Sequence, residues 1–349
     1  MSVTNEKYLV TARRRILQPL WNAMDRVLLP HLPRGICMAV SGGADSRALL
    51  EAAARWPKRS LGKLVVISVD HCVRSEGLLE AQATVARART LGFRADYVRL
   101  NSSIRADEAS LRNGRYDALR AFAHAQGCQA IATAHHQDDD AEGFLLDMFG
   151  YGGGADGSAM AAVSCFGGDQ ILLLRPFLSL PRQELLGALT VLGVADYFAD
   201  PTNQAGGSRR GDVRRIVGHL RRFEPSVPER LAGLSERAAT SLQAVRHLAL
   251  ACLKKDLAQR QVIVIVKQDL PRTVLLEALR EGLRQIADEQ EDIRCKISVL
   301  QEIIDVSLDL QNSPSASTKT LHFDLPKAQA VVTNNAIILK RERSLLCKI

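Results

Sequence analysis

The sequence of 349 residues holds no apolar run long enough to span a bilayer, so an integral membrane protein is not expected. Its opening residues, Met1-Ser2-Val3-Thr4-Asn5-Glu6-Lys7, lack the apolar core and small-residue site of a secretory leader, and a cytoplasmic protein is expected. Cysteine is scarce and unpaired. The seven cysteines stand at 37, 72, 128, 165, 252, 295 and 347, never spaced as C-x-x-C. That pattern fits reduced thiols rather than a disulfide framework, and offers no cysteine site for zinc or an iron–sulfur cluster. No internal repeat is evident.

Hydrophobic residues make up 46% and charged residues 24% of the chain, the balance of a folded globular protein rather than a disordered one. The length exceeds a usual single domain and predicts two or three. A formal net charge of +8 favours a polyanionic partner, although ordinary solubility accounts for part of it.

Short apolar or β-branched runs at 36–40, 64–69, 97–100, 130–133 and 171–174 alternate with helical spacing at 45–55, 78–91, 107–124 and 138–148. This alternation predicts an α/β fold with a doubly wound, mainly parallel sheet. The glycine-dense run 150–157 reads as a functional loop or an ordinary connector, and 200–208 is a second turn-rich break. Beyond about 223 the pattern is mostly helical, with 228–253 and 271–287 each opened by a proline. A short strand is expected at 262–266. Strand-like runs at 321–325, 330–333 and 336–339 predict a small β-containing end. The expected divisions are a helical extension over 1–33, an α/β domain over 34–215, a helical domain over 216–311 and a short tail over 312–349.

The strongest motif is Val40-Ser41-Gly42-Gly43-Ala44-Asp45-Ser46, where the first strand turns into a helix. Paired glycines permit φ > 0 and let backbone N–H groups approach a phosphate. Ser41 and Ser46 add hydroxyls, and the helix N-terminus favours the anion. Asp45 beside a phosphate makes sense as a helix cap or as a Mg²⁺ ligand. The loop lacks the lysine of a Walker sequence.

Further motifs fall just beyond strand ends, where open α/β sheets hold ligands. Asp70 and His71 follow the second strand and read either as pocket lining or, for His71, as a hydrogen-bonded turn residue. His135, Asp138, Asp139 and Glu142 share one helical face. They fit a divalent cation, a bound amine, or the acidic enrichment that any helix N-terminus favours. Arg112 and Arg115 share a face with Glu108, which reads as a surface ion pair or as an anion site. Arg209, Arg210, Arg214 and Arg215 match phosphate spacing on RNA, or simply a solvated helix face.

The phosphate loop resembles that of the PP-loop ATP pyrophosphatases, which share S-G-G-x-D-S. Val69-Asp70-His71-Cys72-Val73-Arg74, Glu108 through Tyr116, Ala132-Thr133-Ala134-His135-His136-Gln137-Asp138-Asp139, Arg175-Pro176-Phe177 and Asp200-Pro201-Thr202-Asn203 narrow the likeness to the tRNA(Ile)-lysidine synthetase family. The resemblance covers about 35–215. It implies ATP with Mg²⁺, tRNA(Ile) with a CAU anticodon and free L-lysine as partners of a cytoplasmic ligase, monomeric or homodimeric, with RNA docking over 216–311. It also implies ATP binding at Ser41, Gly42, Gly43, Ala44, Asp45, Ser46, Asp70 and His71. Metal binding falls to Asp45, catalysis to Asp45, Arg112 and Asp139, lysine binding to Asp139 and Glu142, and tRNA binding to Arg209, Arg210, Arg214 and Arg215. Three stretches depart from the family pattern: Asp140 and Gly143 replace Gln and Thr, Phe149-Gly150-Tyr151-Gly152 replaces R-G-S-G, and Gly211 replaces Asn. Two other readings stay open, a tRNA thiolase, for which paired cysteines are expected, and a non-catalytic RNA- or nucleotide-binding relative.

Overall fold

A computed structural model describes residues 3–100, 108–149, 160–165, 171–198, 209–256, 261–267, 269–287, 295–312, 320–325, 328–333 and 335–341. The glycine-dense run 150–157 and the Asp200-Pro201-Thr202-Asn203 motif lie outside them. The chain divides into two compact units, 1–238 and 239–349.

The first unit is built on a six-stranded sheet ordered β3-β2-β1-β4-β6-β5, with β1 Ile36–Ala39, β2 Leu64–Asp70, β3 Arg94–Arg99, β4 Ala130–Ala132, β5 Val163–Cys165 and β6 Leu172–Leu174. All pairings are parallel except β5 with β6, an antiparallel edge that periodicity did not show. Strand order reverses between β1 and β4, which makes their C-terminal ends the switch point. The intervening helices are α2 Ala44–Ala54, α3 Gly77–Thr90, α4 Glu108–Ala125, α5 Gln137–Met148 and α6 Arg182–Leu192.

Both faces of the sheet are apolar, as a doubly wound sheet requires. Ile36, Met38, Val66, Ala130 and Ala132 join one buried cluster, and Cys37, Val65, Ile67 and Ile131 join another, in strict period-two alternation. Helix α1, Val3–Val27, belongs to the first cluster through Leu17, Leu20, Trp21 and Met24. Trp21 Nε1 donates to the Ala52 carbonyl at 3.0 Å, so the N-terminal helix is part of this core rather than an appendage.

Helix α7, Arg209–Phe223, follows, and α8, Val227–Ala251, carries the chain across the division at 238/239. The second unit has an antiparallel sheet ordered β7-β8-β11-β10-β9, from β7 Leu253–Asp256, β8 Gln261–Ile265, β9 Leu321–Leu325, β10 Ala328–Val332 and β11 Ala336–Arg341. Helices α9, Arg272–Ile286, and α10, Ile297–Asn312, bury Leu275, Leu279, Leu283, Leu300 and Ile304 in the same core as Val264, Val332 and Leu339. The tail strands therefore share one sheet with β7 and β8. The sequence divisions at 215/216 and 311/312 followed motif ends and turn residues, not this packing.

Candidate active site

Four residues link β1 to α2, and their shape is fixed from within. Ser46 Oγ accepts from Ser41 N at 3.1 Å, lies 3.1 Å from Ser41 Oγ, and donates to Gly43 O at 2.9 Å. Gly42 has φ +86°, and a Cβ there would stand 2.6 Å from Thr84 Oγ1 and 2.8 Å from Phe198 Cδ2. Only glycine fits. Gly43 caps α2 without a side-chain hydrogen bond, which leaves the first-turn amides of α2, from Ala44 onward, suited to an anion.

The loop is clamped from outside by a segment that sequence reasoning missed. Phe198 N donates to Gly42 O at 3.0 Å, and Phe198 forms a parallel bridge with Gly43. Asp196, just upstream, accepts from Arg47 Nη2 at 2.9 Å, while Arg47 Nε donates to the buried Glu51 at 3.0 Å. No local pattern marks Asp196, because its partner lies about 150 residues away in the chain.

Asp45 opens α2 and faces a guanidinium and an imidazole. Arg182 Nε donates to Oδ1 at 2.8 Å, and His136 Nε2 lies 3.7 Å from the same oxygen. Burial opposes the charge on Asp45, but the neighbouring His136 and Arg182 outweigh it and hold the carboxyl at about 2. Arg182 sits at the start of α6, and its backbone N–H donates to Asp138 Oδ2 at 2.8 Å, so α6 closes the crevice from β6's side. Pro181 before a helical pattern marks this N-terminus in the sequence, but nothing there points to the phosphate loop.

Helix α5 begins where β4 ends. His136 is its N-cap: Asp139 N donates to His136 Nδ1 at 3.3 Å, and His136 N donates to Asp139 Oδ2 at 3.0 Å. Asp138, Asp139 and Glu142 then project toward α7. The expected lysine pair is not an open carboxylate pair. Glu142 takes a two-pronged contact from Arg214, Nε to Oε1 at 2.7 Å and Nη2 to Oε2 at 3.0 Å, and Arg210 stands 3.7 Å from Asp139 and 3.6 Å from Glu142.

This also corrects the reading of the arginine run. Arg210, Val213, Arg214, Val217 and Arg221 repeat at helical spacing and face inward, Arg221 pairing with Asp138. Arg209 and Arg215 are exposed. At about 100° per residue the four predicted arginines spread over roughly 240° of the helix, so they do not share one face.

The other predicted residues divide similarly. His135 hydrogen-bonds Thr133 through Nδ1 at 2.8 Å; burial, together with Arg175, Arg115 and Arg210, outweighs Asp139 and lowers its pKa to about 3. Arg112 is exposed and lies over the Tyr116 ring with Arg115, at 5.7 and 5.0 Å. The side chain of Glu108, its expected partner, lies outside the described residues. Arg175 is buried and donates to Ala161 O at 2.6 Å and Ser164 Oγ at 3.0 Å, while Asp140 accepts from Met160 N at 2.9 Å. Asp70 is turned inward: Oδ1 accepts from Cys72 N at 2.9 Å and Oδ2 from Arg99 Nε at 3.1 Å. Its carboxylate holds the turn rather than facing the crevice, whereas His71 is half-buried at the end of β2.

Among the described residues no group of three or more His, Cys, Asp or Glu is arranged to hold a metal. A single carboxylate at Asp45 still suits Mg²⁺, which keeps several waters and relies on substrate phosphates for the rest of its shell. No described helix is long and apolar enough to cross a membrane.

Comparison with known proteins places this geometry. A PP-loop domain model matches residues 11–220. A tRNA(Ile)-lysidine synthase of Methylobacterium nodulans is 36% identical over 75% of this chain and 78% of its own length. One from Bradyrhizobium diazoefficiens is 31% identical over 77% of this chain and 73% of its own length. Among solved structures, the U34-tRNA thiolase NcsA of Methanococcus maripaludis, with its [4Fe-4S] cluster, aligns at a TM-score of 0.53 and 17% identity over 65% of this chain and 80% of that one. That likeness is of fold alone. The loop at 41–46, the switch point above it and the shared length of the relatives lead to one statement: the chain belongs to the tRNA(Ile)-lysidine synthase family of ATP-using PP-loop proteins.

Proposed function

We propose that the chain is a cytoplasmic tRNA(Ile)-lysidine synthase, a ligase working as a monomer or homodimer on tRNA(Ile) with a CAU anticodon. The wobble cytidine O2 attacks the α-phosphorus of ATP, the bond to the β-phosphate oxygen breaks, and pyrophosphate leaves. The ε-amine of free L-lysine then attacks C2, the C2–O bond breaks, and AMP departs with that oxygen while the new nitrogen loses its proton to solvent.

What carries this reading is the juxtaposition at the switch point of a loop built to grip an anion with a helix whose acids face arginines. Ser41, Gly42, Gly43, Ala44 and Ser46, with the N-terminus of α2, would hold the phosphates. Asp45 would serve Mg²⁺, which on binding spreads the triphosphate charge. Arg182 adds a cation at the same place. Arg112 would stabilise charge as pyrophosphate leaves, and His71 would line the nucleotide pocket. Asp139 and Glu142 form the acidic side of the amino-acid site. RNA docking is assigned to exposed Arg209 and Arg215 and to the region 216–311. Positioning three reactants this way can supply roughly 7–11 kcal/mol of the barrier.

Incubating the purified protein with cytidine-bearing tRNA(Ile), ATP and labelled lysine tests it. Lysine incorporation matched by AMP is expected. ATP-dependent sulfur incorporation would favour a thiolase instead, and RNA binding without turnover a non-catalytic relative.

A further inference from the structure

Three arginines on the inner face of α7 oppose three acids on α5, but the contacts are unequal. Arg214 and Glu142 make a fork-on-fork pair at 2.7 and 3.0 Å. Arg221 is paired with Asp138, whose Oδ2 also takes the Arg182 N–H. Arg210 is different. Its approaches of 3.7 Å to Asp139 Oδ1 and 3.6 Å to Glu142 Oε2 exceed hydrogen-bond distance, and its Nε is buried with no hydrogen-bond partner among the described residues. A buried donor on a charged group is costly to leave unbonded, and such exceptions ask for a missing partner.

We propose that Arg210 and Asp139 form a seat for the charged head of the amino-acid substrate, Arg210 taking its α-carboxylate and Asp139 its α-ammonium. The Glu142–Arg214 pair holds that seat in register. The inference rests on the lysine reading above and moves Arg210 from RNA phosphate to amino acid.

Two arguments support the assignment. The three inner arginines of α7 and the three acids of α5 that they face match one for one, so this cluster does not select a bare cation. It accepts a ligand carrying both signs close together, which is what the head of a free amino acid is. A planar guanidinium also matches a carboxylate prong for prong. The second argument concerns the nucleophile. The attacking ε-amine must be neutral, and a carboxylate clasping it would favour its protonated form. Charged partners therefore belong at the α end, with the methylene stem carrying the ε-nitrogen free.

The test measures KM for L-lysine, L-lysinamide and 6-aminohexanoate in the tRNA(Ile) reaction, for the full chain and its Arg210→Gln and Arg210→Lys variants. For the unaltered protein, the lysinamide and 6-aminohexanoate KM values should exceed that of lysine by about 10- to 100-fold, the weight of a charge-assisted hydrogen-bond pair. In Arg210→Gln, KM for lysine should rise to meet that of lysinamide, which itself moves little, so the ratio collapses toward one. Arg210→Lys, which keeps the charge without the fork, should fall between. KM does not depend on the folded fraction, so partial misfolding leaves the ratio readable. Equal KM for lysine and lysinamide in the unaltered protein, or equal rises for both in Arg210→Gln, overturns the seat while leaving lysidine synthesis standing. AMP formation without any lysine incorporation overturns the functional reading and the seat with it.

Discussion

Two glutamates in the first unit are each ringed by arginines, and they are built to opposite ends. Glu51 is fully buried and closed: Oε1 accepts from Arg47 at 3.0 Å and Arg87 at 2.8 Å, and Oε2 from Arg55 at 2.5 Å. Arg47 passes the contact on to Asp196, which braces the phosphate loop. Glu142 is also buried, but its ring is open. Arg214 is bonded, Arg210 hangs at 3.6 Å, and both arginine side chains keep contact with solvent at 35% and 28% exposure. The same residue types serve structure where every prong is satisfied and offer a site where one is not. Burial alone does not separate the two.

The largest effect should come at the acid of the phosphate loop. Asp45 touches the loop and faces Arg182 and His136. Asp45→Asn should lower AMP formation by about 10²- to 10³-fold, the scale of removing a central electrostatic group, as read by pyrophosphate release. Turnover near that of the unaltered protein would remove Asp45 from cation binding.

Next in size is the closed ring itself. Removing one partner of a buried ion pair leaves an uncompensated charge and costs about 3–5 kcal/mol. Glu51→Gln should show a loss near the lower end of that range in urea unfolding, since Arg47 is only 4% exposed and is left with Asp196 as its carboxylate partner. Glu142→Gln should cost less, below about 2 kcal/mol, because Arg214 can turn outward, yet it should depress lysine incorporation. Equal stability losses would erase the distinction between closed and open rings.

How much of this could be read from the chain follows from the range of each interaction. The phosphate loop was legible because its conformation is local: Gly42 at φ +86° and the Ser41–Ser46 contact span six residues. The first sheet was legible because buried strands and amphipathic helices leave periodic patterns. The site's pairings were not. Arg182 reaches Asp45 across 137 positions and Arg214 reaches Glu142 across 72, and no pattern within either segment records the other. Consecutive arginines at 209–210 and 214–215 looked like one basic patch, yet helical geometry divides them between an inner and an outer face. Asp70 likewise looked like pocket lining until the buried turn it holds was visible.

Beside the open ring sits His135, and its titration offers a smaller, signed effect. Burial, with Arg175, Arg115 and Arg210 nearby, lowers its pKa to about 3, against 6.5 for an ordinary histidine. Between those values the unfolded chain holds a proton that the folded protein refuses, so stability falls as pH drops from 6.5 toward 3 and levels off below. His135→Gln should remove that contribution, flattening the acid limb by up to about 1.4 kcal/mol per pH unit. Urea midpoints at pH 7 and pH 5 check it. An unchanged slope would mean that solvent reaches the imidazole, and that this edge of the open ring is wetter than its packing implies.

The smallest effect sharpens the division between the two faces of α7. Arg215 is exposed and, among the described residues, pairs with nearby Asp212, a surface contact worth little to stability. If the outer face follows RNA phosphates, Arg215→Gln should lower tRNA affinity modestly and reduce the slope of log affinity against log salt by about 0.7–0.9, the release of one phosphate's counterion. Arg214→Gln should leave that slope in place, because its guanidinium is committed to Glu142. Filter binding across a salt series separates them. A slope that responds to Arg214 and not to Arg215 would turn the helix around, placing RNA on the face assigned here to the amino acid.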